Sequence, residues 1–400
     1  MPRTRRRWLH ALDQAVARIS GTCRVLFYVR TPMHAAVLDP MARALERDRR
    51  ITVRYLAESP RQQEQISRHD GSSRRWISRA VAGWTRFDLL VTADPWDPPV
   101  LRRTHRRINF FHGVAGKYDL DDPSHLPIGF EEYDRVAFVN TDRLQRYLAK
   151  NIVSTEQTAL VGFPRIDALV NGEYDGVAER RSLGLEPQRR TAIYAPTWSP
   201  ASSLHIAGEA IVASLFDVGW NVIIKPHARS FDPEPKYSGG IDWRRRLRDI
   251  EVPGRVVLCE GGDASPLMAA SDLMVTDHSS IGFEFCLLDR PLIVFDAPDL
   301  ARVARINPER ITALRSAARV VDEAAELGRI ADAELAEPER LRRERRAAAE
   351  PLFHAPGTAT ERALELIYSV LELRRAAPVT DACKVPSAQP TNGPAAATLR

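Results

Sequence analysis

Short apolar runs recur along this 400-residue chain, each followed by a polar turn and then by apolar positions at helical spacing. CRVLFYVR (23–30) predicts a first strand, with a helix over 35–47 behind it. ITVRYLA (51–57), FDLLVTAD (87–94), RINFFHG (107–113), RVAFVNT (135–141) and TALVGFPRIDAL (158–169) continue the series. After a polar stretch around 171–190 the pattern restarts with TAIYAPTW (191–198), NVIIKPHA (221–228), RVVLCE (255–260), DLMVTD (272–277) and PLIVFD (291–296). Strands that are apolar almost throughout and alternate with helices belong in parallel sheets covered on both faces. The expected fold class is therefore α/β, with two Rossmann-like domains joined near 162–164. The domains are expected at 21–165 and 166–375, after a basic amphipathic leader at 1–20 and before a disordered tail at 376–400 rich in Ala, Pro and Thr. A last globular helix is expected at 359–373. The alternating acidic and arginine positions of 331–350 read as a solvated helix.

A chain of this length exceeds one comfortable core and suits two. Cys23, Cys259, Cys286 and Cys383 lie too far apart for a disulfide framework or a close metal knuckle. No run approaches the ~20 apolar residues needed to cross a bilayer. The leader lacks the continuous apolar segment of a secretory signal. It carries Trp8, Leu9, Leu12, Ala15, Val16 and Ile19 at helical spacing beside Arg3, Arg5, Arg6 and Arg7. Such a helix either packs on the protein or rests on an anionic membrane surface.

The formal charge of +5 is unevenly spread: residues 1–110 hold 22 arginines and no lysine against 10 acidic residues. A basic first quarter attracts an anion, either phospholipid headgroups or a phosphorylated acceptor. Nucleic acid is not expected as a partner, since no zinc-finger, RNA-recognition or helix-turn-helix signature surrounds the arginines. The turn after the first strand is RTPMHA and not a G-x-G-x-x-G, and no G-x-x-x-x-G-K-[ST] loop occurs. Those absences argue against dinucleotide oxidoreduction and ATPase chemistry.

Functional residues of open α/β sheets gather beyond the carboxyl ends of strands. Four such ends are polar together: His112-Gly113 with Lys117, Pro196-Thr197 with Ser199, Lys225-Pro226-His227 with Arg229, and Asp277-His278-Ser279-Ser280. At the last of these an apolar strand stops at Asp277 and a helix is expected from Ser279–Ser280, where amides and hydroxyls can donate to an anion. Lys225, His227 and Arg229 bring further positive charge and donors to the same phosphates. His112 lies in the other half, suited to take a proton from an acceptor hydroxyl. No close His/Cys/Asp/Glu spacing offers a metal cage, so neither a metal nor another cofactor is expected.

Five segments give this pattern a family likeness: FHGVAGK (111–117), VGFPRIDAL (161–169), YAPTW (194–198), IIKPHA (223–228) and DLMVTDHSSIGFEFCLLDRPLIVF (272–295). With the closing FHAPGTATERALELI (353–367), the chain resembles the CDP-glycerol glycerophosphotransferase family, which builds teichoic-acid-like poly(glycerol phosphate) chains. The resemblance implies GT-B architecture, with the two Rossmann-like domains facing a central cleft. It also implies a CDP-glycerol or related CDP-polyol donor, release of CMP, and a lipid-linked or glycan acceptor at the cytoplasmic membrane face. It places the essential base on His112, a second catalytic histidine on His227, and the paired donor-phosphate serines on Ser279 and Ser280. The closing arginine falls on Arg362. Lys117, Thr197, Lys225, Arg229, Asp277 and Glu284 complete the expected substrate-binding set.

The chain departs from the family pattern at Phe111 (usually tryptophan), Val114-Ala115-Gly116, Ser199, Ala228, His278 (usually tyrosine) and Glu284 (usually aspartate). A nucleotide-sugar-dependent glycosyltransferase is the main alternative, and a nucleotide-sugar epimerase stands behind it. A membrane-surface binding or assembly module without turnover is the alternative from outside the enzymes.

Overall fold

The computed structural model describes residues 21–70, 73–94, 99, 101–114 and 129–375. The leader at 1–20, the tail at 376–400 and Lys117 lie outside the described residues.

Six parallel strands form the first sheet: β1 (Cys23–Val29), β2 (Ile51–Ala57), β3 (Phe87–Thr92), β4 (Thr104–Phe110), β5 (Arg135–Phe138) and β6 (Thr158–Leu160). Their order is β2-β1-β3-β4-β5-β6. The second sheet holds β7 (Thr191–Ala195), β8 (Asn221–Ile224), β9 (Val256–Leu258), β10 (Leu273–Thr276), β11 (Leu292–Phe295) and β12 (Arg319–Val321), in the order β12-β11-β10-β7-β8-β9. All the ladders within the two sheets are parallel. Each order reverses direction once, between β1 and β3 in the first sheet and between β7 and β10 in the second. Ligand crevices of such sheets open at those switch points, beyond the strands' carboxyl ends.

The strands are buried on both faces because helices cover them; Val25, Phe27, Leu89, Ile193, Ile223 and Val275 are wholly inaccessible. That is why their sequences read as apolar runs without alternation. β4 starts three residues earlier than the 107–113 expected, since Thr104 through Arg107 extend the ladder with β3. β12 escaped the sequence reading: it is a three-residue edge strand with Arg319 exposed.

Residues 331–350 do not form one solvated helix. Two helices, Leu327–Ala336 and Arg342–Ala349, flank Pro338. Arg345 is buried, donating to Asp289 Oδ1 at 2.9 Å and to the Pro338 carbonyl.

After the second sheet, the helix Ala359–Val370 returns to the first, burying Ala363, Leu364 and Ile367 among Val25, Phe27 and Val91. A latch from the crossover between the sheets holds it there. Asp167 accepts from the amides of Gly357 (2.9 Å), Ala359 (3.2 Å) and Thr360 (2.6 Å), capping a helix whose own Thr358 supplies no side-chain cap. Arg362 Nε donates to the Val161 carbonyl at 2.7 Å, and its Nη2 to the carbonyls of His354 and Ala355. Gly162 (φ +93) sits between them, where a Cβ would meet the His354 carbonyl at 2.5 Å.

Candidate active site

Around the switch point of the first sheet, three strand ends converge. Thr31 caps the helix Pro32–Glu46 by accepting from the His34 amide, which fixes His34 in the first turn beyond β1. Asp94 lies just beyond β3, and His112 just beyond β4. His34 Nε2 is 3.1 Å from Asp94 Oδ2, and the His34 and His112 ring centroids are 5.0 Å apart. His112 Nδ1 lies 3.3 Å from the Ala93 carbonyl. A carbonyl only accepts, so Nδ1 carries the proton and Nε2 presents a lone pair.

Burial pushes the His112 pKa down to about 4; His34, when charged, and Arg143 act in the same direction, while Asp94 and the Ala93 carbonyl oppose. The His112 loop is held from behind. Arg143 Nη1 donates to Gly113 O at 2.8 Å, and its guanidinium stacks over Phe111. Asn140 caps the next helix and donates to Leu352 O at 3.1 Å. Phe111, where the family usually has tryptophan, is buried against Phe138 and Tyr147.

Neither His34 nor Asp94 figured among the expected site residues, because each lies on a different strand end from His112. Among the described residues, their ligand atoms and that of His112 come within 4.8 Å of one another, a spacing that a metal ion could close. Two features oppose a cation there. Arg30 Nη1 already lies 3.7 Å from Asp94 Oδ1, and the Arg30 amide donates to His34 Nδ1 at 3.4 Å, which leaves the proton of a neutral His34 ring on Nε2.

At the second switch point, Asp277 follows β10 and is wholly buried. Its carboxylate accepts from the Thr197 amide at 3.0 and 3.1 Å, the Ser203 amide at 3.2 Å and the Ser203 hydroxyl at 3.0 Å. Asp277 thereby ties the 197–203 loop to the end of β10. Thr197 and Ser199 are buried within this loop, where Ser199 Oγ accepts from the Ala201 amide.

Ser279 and Ser280 precede the helix Ile281–Cys286 and are partly exposed; Ser280, at the cap position, makes no side-chain capping bond. Beyond β8, His227 is exposed and its Nδ1 accepts from the Arg229 amide at 3.1 Å, so the proton of its neutral ring sits on Nε2. Arg229 lies over the rings of Trp198 and Tyr237, 5.0 and 5.1 Å from their centroids. This joins the YAPTW and KPHA segments on one surface.

A second charged group has Asp263, Glu284 and Arg165 as its acidic and guanidinium members. Arg165 is buried, donates to Asp263 Oδ1 at 2.6 Å and pairs with buried Glu284. Lys225 is buried beside them, and desolvation pushes its amine down to about 8, with Cys259 and Asp263 opposing. Arg165 and Asp263 were missed in the sequence reading. Arg165 was visible within VGFPRIDAL as a charge in an apolar setting after β6, whereas nothing local marks Asp263 in its glycine turn.

The expected donor-side residues thus divide. Lys225, His227 and Arg229 follow β8, Thr197 follows β7, and Ser279 and Ser280 follow β10, on three adjacent strands. Asp277, Glu284 and Arg362 are committed to protein partners and hold loops and helices in place.

The family model for CDP-glycerol:poly(glycerophosphate) glycerophosphotransferase matches residues 129–368, more than half of the chain. Among curated proteins, none matches this sequence. Wall teichoic acid polymerase TagF superposes with a TM-score of 0.65 at 16% identity, covering 92% of this chain and 94% of that one. A variant of that polymerase soaked with CDPG gives 0.66 at 17% identity, with 88% and 90% covered. S. aureus MnaA, in a co-structure with UDP, gives 0.55 at 15% identity, with 88% and 98% covered. Likeness at these identities establishes the fold, which is GT-B.

Proposed function

Because the chain belongs to the CDP-glycerol:poly(glycerophosphate) glycerophosphotransferase family, we propose that it moves a glycerol-phosphate or related polyol-phosphate unit from a CDP-activated donor to an acceptor hydroxyl, releasing CMP. The acceptor is a membrane-linked or cell-envelope glycan or polyol. The observation that carries this reading is the family match over the whole second sheet, whose β8 and β10 ends hold Lys225, His227, Ser279 and Ser280.

In the proposed reaction His112 Nε2 takes the proton of the acceptor hydroxyl. The hydroxyl oxygen attacks the phosphorus bearing the polyol, and the bond from that phosphorus to the oxygen of CMP breaks, its electron pair leaving with CMP. His227 Nε2–H, Lys225, Arg229, Thr197 and the two serine hydroxyls donate to the diphosphate and the departing phosphate. Supporting the base assignment is the bond from His112 Nδ1 to the Ala93 carbonyl, which leaves Nε2 as the acceptor in the neutral ring. Charge is neutralised by protein cations and donors, and no metal is invoked. Asp277 and Glu284 shape the donor side through the 197–203 loop and Arg165, and Arg362 acts through the crossover.

The test is product analysis with CDP-glycerol, CDP-ribitol and a nucleotide-sugar panel, with and without chelator. CMP plus a phosphodiester supports the reading, whereas a nucleoside diphosphate plus a glycoside replaces it with glycosyl transfer. Loss of activity on chelation, restored by magnesium, removes the metal-free mechanism. Ser279→Ala/Ser280→Ala with unchanged donor affinity and turnover removes the serines from the site.

We also propose peripheral association with the inner face of the membrane through the arginine-rich leader. No described helix is long and apolar enough to cross a bilayer. A basic residue near an anionic surface contributes on the order of 1 kcal/mol, weakened by salt. Equal sedimentation of the full chain and a version starting near Gly21 with anionic liposomes would remove that anchor.

A further inference from the structure

The neighbours of His112 carry a consequence for its proton transfer. Once His112 takes a proton, a positive ring stands half-buried at the carboxyl end of β4 and needs a compensating charge. The carboxylate of Asp94 is within 4.8 Å of it. Asp94 is itself only 7% exposed and cannot rely on water to fix its direction.

Two groups orient that carboxylate. His34, 4% exposed, presents Nε2 at 3.1 Å from Oδ2, while its Nδ1 accepts from the Arg30 amide. Arg30 Nη1 lies 3.7 Å from Oδ1, and Arg30 Nε is tethered to Glu58 at 3.3 Å. Burial and, more weakly, the Asp94 charge raise the pKa of Tyr133, whose hydroxyl lies 3.2 Å from Thr92 Oγ1. On the far side of His112, Arg143 brings positive charge and favours the neutral ring.

We propose that Asp94, held by His34, is the counter-ion that stabilises the protonated His112 as the acceptor hydroxyl is deprotonated. This rests on the reading of His112 as the base. Asp94 and His34 are positioning residues: the proton goes from the hydroxyl to His112 Nε2, and neither of them accepts it. Burial keeps the resting ring neutral, and Asp94 keeps that burial from making it too weak a base, because a carboxylate at this range favours the charged imidazole.

The experiment follows the His112 ring directly, by NMR titration of isotope-labelled histidine in the full chain, alongside kcat and KM with CDP-glycerol as donor. Asp94→Asn removes the charge and keeps the shape. The expected result is a lower His112 pKa and a kcat reduced on the order of 10–100-fold, with donor KM nearly unchanged. Asp94→Glu restores part of the kcat, and His34→Gln gives a smaller loss in the same direction. An unchanged His112 pKa and kcat in folded Asp94→Asn would overturn the proposal. So would a stoichiometric metal in the purified protein that disappears in His34→Gln. His112→Ala separates the two readings: near-native turnover there fells the base assignment and the counter-ion role of Asp94 with it, even where NMR shows the two groups coupled.

Discussion

Replacing Asp277 by asparagine tests whether this residue touches the donor or only builds the loop that does. In the native chain Oδ1 accepts from the Thr197 amide, and Oδ2 accepts from that amide and from the amide and hydroxyl of Ser203. Asparagine has one acceptor oxygen. If it takes the place of Oδ2, the new NH2 group points at the Thr197 N–H, donor against donor. At least one charge-assisted bond is lost, about 1.5–3 kcal/mol, and the remaining ones weaken to neutral strength. Removing a buried charge returns part of this through desolvation. The lost bonds outweigh that return because the site is shaped around four converging contacts, and the net expected is about 2–4 kcal/mol.

That corresponds to a fall in Tm on the order of 4–10 °C, read by thermal circular dichroism. Ser203→Ala, which removes one hydroxyl donor, costs about 1 kcal/mol by the same reasoning. Donor affinity is measured in parallel by calorimetry, at a temperature where the variant is folded. The reasoning is refuted by a variant with native Tm, because the loop then does not depend on the carboxylate. Native Tm with abolished donor binding would make Asp277 a ligand of the donor instead.

The pH dependence of kcat/KM has two expected limbs. His112 must be neutral to accept a proton and is pushed down to about 4, so activity rises as pH passes upward through that value. Lys225 must be charged to hold phosphate and is pushed down to about 8, so activity falls as pH rises beyond it. A profile flat from pH 7 to 10, on the order of two units past the Lys225 value, removes the lysine from donor binding. Arg165→Ala leaves Glu284 buried without its cation and is expected to destabilise by about 3–5 kcal/mol in urea unfolding, whereas an exposed pair would cost under ~1 kcal/mol. Gly162→Ala forces a side chain into a positive-φ turn against the His354 carbonyl; a loss of roughly 2 kcal/mol or more is expected, with faster hydrogen exchange across 354–370.

Much of the organisation was legible in the sequence because burial writes itself into composition. A strand covered by helices on both faces must be apolar at nearly every position, so nine of the twelve strands announced themselves within a few residues of their true bounds; β4 began early, the run read for β6 passed its end at Leu160 by nine residues, and the three-residue edge strand β12 was not seen. The ends of β8 and β10 were legible for a related reason: Lys225, His227, Ser279 and Ser280 are polar residues set directly after apolar runs. The tertiary structure decided what no local pattern carries. His34, Asp94 and His112 come from separate strand ends and meet because β1, β3 and β4 are neighbours in that order. Arg165 reaches Asp263 and Glu284 across about a hundred residues. Asp167 caps a helix 190 residues downstream. Side-chain chemistry is local, but its partners are set by strand order. Whether a polar residue binds substrate or holds the fold is therefore settled by which other strand ends arrive beside it.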